Sequence, residues 1–127
     1  MITGLNGTVA PVVAGLLKDY GHTVVGWDRS RVPIDNERAI FHFLEDHNPD
    51  WFLHIATGSP DWAELIAKIC GQIKIKLLYT SSASVFSSSQ KGPFPISAMP
   101  EPEDDYGRYK YHCEELIKKN QPDAISA

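Results

Sequence analysis

Short apolar runs and amphipathic segments alternate along this chain. Thr23-Val24-Val25-Gly26-Trp27, Phe52-Leu53-His54-Ile55-Ala56 and Ile75-Lys76-Leu77-Leu78-Tyr79 are mostly apolar, as strands buried in a parallel sheet are. Between them the apolar residues recur at helical spacing, first as Val9, Val12, Val13, Leu16 and Leu17. Gly21 stands where a helix C-terminus favours glycine, and Asn48-Pro49-Asp50 is a clean break. The pattern predicts strands at 1–3, 23–27, 51–56 and 75–80, helices at 8–20, 36–47, 61–72 and 105–120, and a last strand from 124. Such alternation argues for an α/β protein whose parallel sheet is covered on both faces. Ser87 to Asp105, rich in serine, proline and acids, reads as a long functional or mobile loop. Its terminal acids, Glu103-Asp104-Asp105, are placed to cap the helix that follows.

Chemistry enters at the first strand-to-helix turn, Thr3-Gly4-Leu5-Asn6-Gly7-Thr8-Val9-Ala10. Glycines here let the backbone approach a pyrophosphate, and the helix N-terminus offers free N–H groups and a favourable dipole. Gly4, Asn6, Gly7 and Thr8 are therefore candidates to hold a dinucleotide. Asp28 ends the next strand, where an acid about 20 residues past the glycines holds a ribose hydroxyl. This is the order of a Rossmann-type, doubly wound domain. The same residues fit a plainer reading, with Gly4 and Gly7 in a tight turn and Asp28 a solvated acid. Asp28 favours NAD(H); Arg29 beside it leaves NADP(H) open.

Tyr106 and Lys110 lie four apart, on one face of a predicted helix. A nearby ammonium favours the phenolate and so makes a phenol of pKa ~10 a usable acid/base. Thr80-Ser81-Ser82 ends a strand upstream and can supply a hydroxyl that fixes a carbonyl beside the phenol. Ser82 is the first candidate and Ser81 its competitor. The plainer reading is an exposed Tyr/Lys pair and a strand end rich in serine. His54 reads as a packed strand-end histidine near the cofactor. The tryptophans Trp27, Trp51 and Trp62 read as packing, and the remaining histidines share no metal-ligand spacing.

In this order the motifs resemble the extended short-chain dehydrogenase/reductases of the sugar-nucleotide epimerase and reductase kind. Within that group they are most similar to dTDP-4-dehydrorhamnose reductases. The family's glycine pattern is present with Ala10 in the third place. Ser81-Ser82-Ala83-Ser84-Val85-Phe86 matches its strand end, Tyr106-Gly107-Arg108-Tyr109-Lys110 its helix start, and His54-Ile55-Ala56-Thr57 its cofactor-side strand. The resemblance implies catalytic roles for Ser82, Tyr106 and Lys110. It adds Arg29, Asp35, Ile55, Ala56, Thr57, Tyr106 and Lys110 to the cofactor contacts. It implies a sugar-nucleotide substrate, and the family often pairs through two of its helices, so a homodimer is open. The stretch after His54 is shorter than the family's long helix, and that helix's Asn has no clear counterpart. The chain stops at Ala127, where the resemblance expects a sixth strand and then a C-terminal substrate part. Residues 1–127 are thus expected to be a dinucleotide-binding domain incomplete at its C-terminus.

Composition narrows the partners. With 127 residues, 43% hydrophobic and 22% charged, the chain suits one globular domain. A net charge of −4 provides no basic patch for nucleic acid. No apolar run is long enough to span a bilayer. Cys70 and Cys113 lack metal-ligand spacing and read as buried thiols, so a cytoplasmic location is the simplest expectation. A function of another class stays open: a dinucleotide-sensing regulatory domain that keeps the fold without turnover.

Overall fold

The computed structural model describes all residues 1–127. Four helices form where the apolar spacing predicts them: α1 (Val9–Asp19), α2 (Glu37–His47), α3 (Pro60–Gln72) and α4 (Asp105–Asn120). Their ends follow from local chemistry. Gly21, at φ +85°, donates its N–H to the Lys18 carbonyl and closes α1. Asn48 closes α2 in the left-handed region at φ 38°. Asn36, Ser59 and Asp104 cap α2, α3 and α4 by accepting backbone N–H bonds from Ala39, Trp62 and Gly107. Asp104 thus fills the capping role expected of the acids before Tyr106.

Three strands, β1 (Trp51–His54), β2 (Lys76–Tyr79) and β3 (Ile125–Ser126), form a parallel sheet in the order β1-β2-β3. Phe52 pairs with Leu77, His54 with Tyr79 and Leu78 with Ile125. The strands expected at 1–3 and 23–27 are reduced to single paired residues, Ile2 with Gly26 on one side and Ile2 with Leu53 on the other. Hydrogen bonds still extend the sheet there, with Ile2 N–H donating to the Val25 carbonyl and Thr3 N–H to the Leu53 carbonyl. The chain then leaves the sheet at Gly4, whose φ is +86°. β1 stops at His54 rather than at 56 because the N–H groups of Ile55 and Ala56 turn to the Thr3 hydroxyl, each at 3.0 Å.

The spatial order is therefore 24–27, 1–3, β1, β2, β3. The first segment lies between 24–27 and β1, and the chain reverses direction across the sheet beside it. That reversal opens a crevice at the carboxyl ends of the strands, the usual ligand position in open α/β sheets. Helices α2, α3 and α4 cover the face that carries Phe52, Leu77 and Tyr79. Helix α1 covers the other face over Ile2.

Helix α1 buries a face shifted from the one its apolar spacing predicts, and of the predicted stripe Val13 packs against it. Ala10 and Ala14 are buried against Ile2, whereas Val9, Val12 and Leu16 are each more than half exposed. Two alanines let the helix backbone lie close to the sheet, which larger side chains would hold off. Cys70 and Cys113 are buried free thiols. Trp27 and Trp62 are in the core, and Trp51 lies at its edge. No helix is long and apolar enough to cross a membrane.

Candidate functional site

A cleft of about 840 Å³ lies at the reversal point. Its wall includes Gly4, Asn6, Gly7 and Thr8 from the first turn, Asp28 and Arg29 from the second, and Ile55, Ala56 and Thr57 from the end of β1. Nine of the residues assigned to the cofactor from sequence thus converge on one cavity. Gly4 has no room for a side chain, since a Cβ there would meet Ala56 N at 3.1 Å in a strained backbone region. Gly7 closes the turn by donating its N–H to the Gly4 carbonyl at 2.8 Å. At the start of α1, Thr8 makes no side-chain cap. The first N–H groups of this helix therefore stay available at the cleft wall, as an anion would require. These observations fit a pyrophosphate-bearing dinucleotide.

Asp28 and Arg29 are both engaged. One Asp28 carboxylate oxygen accepts from the Ser30 hydroxyl at 2.7 Å and the Ser30 N–H at 2.9 Å, which holds the carboxyl below its usual pKa. Arg29 reaches to the opposite wall, where its guanidinium donates to the Thr57 carbonyl at 2.5 Å and lies 4.7 Å from the centre of the Trp62 ring. Asp35 sits in the exposed turn before α2, outside the residues that line the cleft.

The Tyr106–Lys110 pair lies on α4. Lys110 is 2% exposed, and its ammonium donates to the Thr80 carbonyl at 2.7 Å. The same ammonium lies 4.8 Å from the centre of the Tyr79 ring and 5.8 Å from those of Tyr106 and Tyr109. Burial lowers the Lys110 pKa, opposed by the nearby Cys113 and Glu114. Tyr106 is 48% exposed, with its ring open to an incoming molecule. The short helix at Ala83–Val85 packs under the first turn of α4. A Cβ on Gly107 would sit 2.1 Å from the Ser84 carbonyl oxygen, so only glycine permits this approach. It brings the Ser82 segment to the start of α4.

The two serines differ in what they do. The Ser81 hydroxyl donates to the Glu114 carboxylate on α4. The Ser82 hydroxyl stays within its own turn, accepting from Ser84 N–H and donating to the Ser84 hydroxyl, each at 3.2 Å. Two weak local bonds are more easily exchanged for a substrate than a bond to a carboxylate. Both Ser81 and Ser82 line a second hollow with Phe86, Phe94 and Tyr111, whereas Tyr106 and Lys110 line neither cavity. The link between the two regions is the backbone of Thr80 and the ring of Tyr109.

Four further residues shape the site and are not singled out by sequence. The Thr3 hydroxyl joins the first segment to the end of β1. Gly26 leaves space for Leu5, whose Cδ1 would lie 2.4 Å from any Cβ there. Trp62 carries Arg29 on its ring. Tyr109 accepts a hydrogen bond from Gly58 N–H at 3.1 Å. Of these only Gly26 leaves a readable signal, a glycine inside a strand pattern, which marks close approach.

A parallel sheet that reverses about its first segment, a glycine turn at the reversal and a Tyr/Lys helix beside a serine strand end define an extended short-chain dehydrogenase/reductase fold. Residues 60–126 match the RmlD substrate binding domain family, and the chain belongs to that family. Among curated relatives it is 26% identical to a probable low-salt glycan biosynthesis reductase of Haloferax volcanii, over 98% of this chain and 50% of the relative. It is 27% identical to dTDP-4-dehydrorhamnose reductase of Mycolicibacterium smegmatis, over 98% of this chain and 42% of the relative. The chain thus spans about half the length of these relatives. The fold matches that of dTDP-4-dehydrorhamnose reductase from Bacillus anthracis in complex with NADP (TM-score 0.84, 20% identity, 98% of this chain and 50% of that one). It also matches UDP-glucose 4-epimerase from Brucella ovis in complex with NAD (TM-score 0.80, 15% identity, 93% and 46%).

Proposed function

We propose that residues 1–127 form the dinucleotide-binding domain of an NAD(P)-dependent reductase or epimerase that acts on a nucleotide-linked keto sugar, of the dTDP-4-dehydrorhamnose reductase kind. One observation carries this reading. The glycine cleft at the uncapped N-terminus of α1 occurs in the same fold as Lys110, buried on the Thr80 carbonyl beneath the Tyr106 ring. A pure binding domain has no need of the second feature.

When bound, the dinucleotide supplies or takes the hydride. The turn from Gly4 to Thr8 would hold its pyrophosphate, and Asp28 would accept from a ribose hydroxyl. In the reducing direction the Tyr106 phenol gives its proton to the sugar carbonyl oxygen as that oxygen gains charge. The Lys110 charge stabilises the phenolate left behind, which regains its proton from solvent, and Lys110 would also hold the nicotinamide ribose. The Ser82 hydroxyl donates to the same carbonyl oxygen and fixes its direction.

The cofactor preferred is NAD(H). The Asp28 carboxylate would repel a 2′-phosphate, and Arg29 is already engaged on Thr57 and Trp62. Parallel titrations with NADH and NADPH are expected to show tighter NADH binding. Clearly tighter NADPH would assign control of the site to Arg29, and binding of neither would refute the dinucleotide reading. In the full-length protein, Tyr106→Phe is expected to abolish reduction of keto-sugar nucleotides while leaving NADH affinity within a few fold, because the phenol acts mainly in the transition state. Near-normal turnover would remove Tyr106 from the mechanism. Dinucleotide binding without turnover on any keto sugar would favour the sensor alternative.

A further inference from the structure

Tyr109 immediately precedes Lys110, yet it does not belong to the Tyr/Lys/Ser set. Its ring packs between that set and the cleft wall. The ring centre lies 6.3 Å from that of Tyr106 and 5.8 Å from the Lys110 ammonium. Its phenol oxygen accepts from the N–H of Gly58, at 3.1 Å. Gly58 follows Thr57, which lines the cleft and takes the Arg29 guanidinium on its carbonyl. Behind Gly58 lies the Trp62 ring, so close that a Cβ would fall 2.4 Å from Trp62 Cε3. The Thr57–Gly58 peptide is therefore gripped on three sides: by Arg29 from the facing wall, by Trp62 from α3 and by Tyr109 from α4.

We propose that Tyr109 is a positioning residue, whose hydroxyl fixes the Thr57–Gly58 wall of the cofactor cleft to α4 and so holds the dinucleotide and the Tyr106–Lys110 pair in one frame. This rests on the reading of the cleft as a dinucleotide site. The short connection between β1 and α3 brings Gly58 within reach of α4. Without the hydroxyl, a half-buried N–H loses its acceptor, and the wall is held only by Arg29 and by packing. The wall then samples positions in which the cleft no longer matches its ligand, and affinity falls by the fraction of time spent there.

Tyr109→Phe tests this, because it removes the hydroxyl and keeps the ring that packs near Lys110. Parent and variant are titrated with NADH by nicotinamide fluorescence, their melting temperatures are compared, and exchange of the Gly58 amide is followed by NMR. The variant is expected to bind NADH about three- to tenfold more weakly, the worth of one neutral hydrogen bond. Its Gly58 amide should exchange faster while the α4 amides keep their protection, with the melting temperature within about 4 °C of the parent. In the full-length enzyme the KM for the dinucleotide should rise and kcat should hold. NADH affinity within twofold of the parent, or unchanged Gly58 exchange, would overturn the proposal. So would a loss of affinity matched by general loss of protection, which would make the hydroxyl merely structural. Failure of the parent itself to bind NADH or NADPH is a distinct result: it refutes the function proposed above, and the role of Tyr109 with it.

Discussion

At the scale of single residues, Thr3 and His54 show how a buried polar group is made tolerable. The Thr3 hydroxyl oxygen accepts from two backbone N–H groups, so its own proton is directed to His54 Nδ1, 3.1 Å away. His54 Nδ1 is thereby an acceptor, and the ring proton resides on Nε2. The ring is 2% exposed and packs edge-on against Trp62, 4.6 Å between centres. Burial first, then the charges of Lys110 and Arg29, lower the His54 pKa from 6.5 to about 3. In the unfolded chain the imidazole takes up its proton near 6.5, whereas the folded chain takes it up only near 3. Between those values the unfolded state holds the extra proton, so stability present above pH 6.5 is lost as pH falls. The expected slope from this one group is about 1.4 kcal/mol per pH unit. His54→Asn, which keeps an acceptor for Thr3, should flatten acid unfolding by that amount. Urea midpoints measured from pH 7 to pH 4 check it, and equal slopes for the two proteins would exclude His54 as the acid-sensitive group. The sequence reading of His54 as a packed strand-end histidine agrees with the structure. The service of Thr3 was not legible, because its partners lie about 50 positions along the chain and meet it only across the sheet.

At the scale of elements, local rules predict existence and ends better than orientation. Asp104, Asn36, Ser59, Gly21 and Asn48 all act where capping chemistry places them, because a cap involves only residues a few positions away. The face of α1 is different. Val9, Val12 and Leu16 are exposed, whereas the sheet at Ile2 accepts Ala10 and Ala14 with Val13 beside them. The contest is between hydrophobicity and closeness of approach, and here the approach needed to set the glycine turn over the cleft decides. Two substitutions distinguish the faces. Val12→Lys, at an exposed position, is expected to change stability by less than about 0.5 kcal/mol. Ala14→Leu overfills the contact with Ile2 and is expected to cost about 1–3 kcal/mol. Thermal or urea unfolding measures both, and the opposite ranking would return the valine and leucine stripe to the core side.

At the scale of the whole molecule, the cleft exists because the chain reverses across the sheet. The residues that line it come from three separate turns, each following a segment of the sheet. The long segment between the Ala83–Val85 turn and α4 is hydrogen-bonded at its two ends, and inside it Phe94 stacks on Phe86, 4.1 Å between ring centres. At those ends Glu103 accepts from the Ser87 and Ser88 hydroxyls, at 2.5 and 2.9 Å, and Glu101 N–H donates to the Val85 carbonyl. Its middle, from Lys91 to Ser97, is exposed throughout. Proteases cut first where exposed backbone can open without disturbing the core. Limited trypsin digestion is therefore expected to cleave first after Lys91, leaving the glycine cleft and α4 intact. Mass spectrometry of the early fragments checks this. First cleavage after Arg31, whose neighbour Val32 is buried, would show that the turn beside Asp28 opens more readily than the loop.

The succession of elements, the glycine turn, Asp28 and the Tyr106–Lys110 spacing were legible in the amino-acid pattern, because each depends on residues adjacent in the chain or one helical turn apart. That pattern also narrowed the strand-end hydroxyl to Ser81 or Ser82. Only the tertiary structure shows their different partners, Glu114 for Ser81 and the Ser84 turn for Ser82. Only the tertiary structure set which face of α1 is buried, turned Arg29 onto Thr57 and Trp62, left Asp35 outside the cleft, and brought Tyr109 to Gly58. These are contacts between residues tens of positions apart. Their geometry depends on how closely helices and sheet approach, and that distance is set by packing of the whole chain, which no local periodicity encodes.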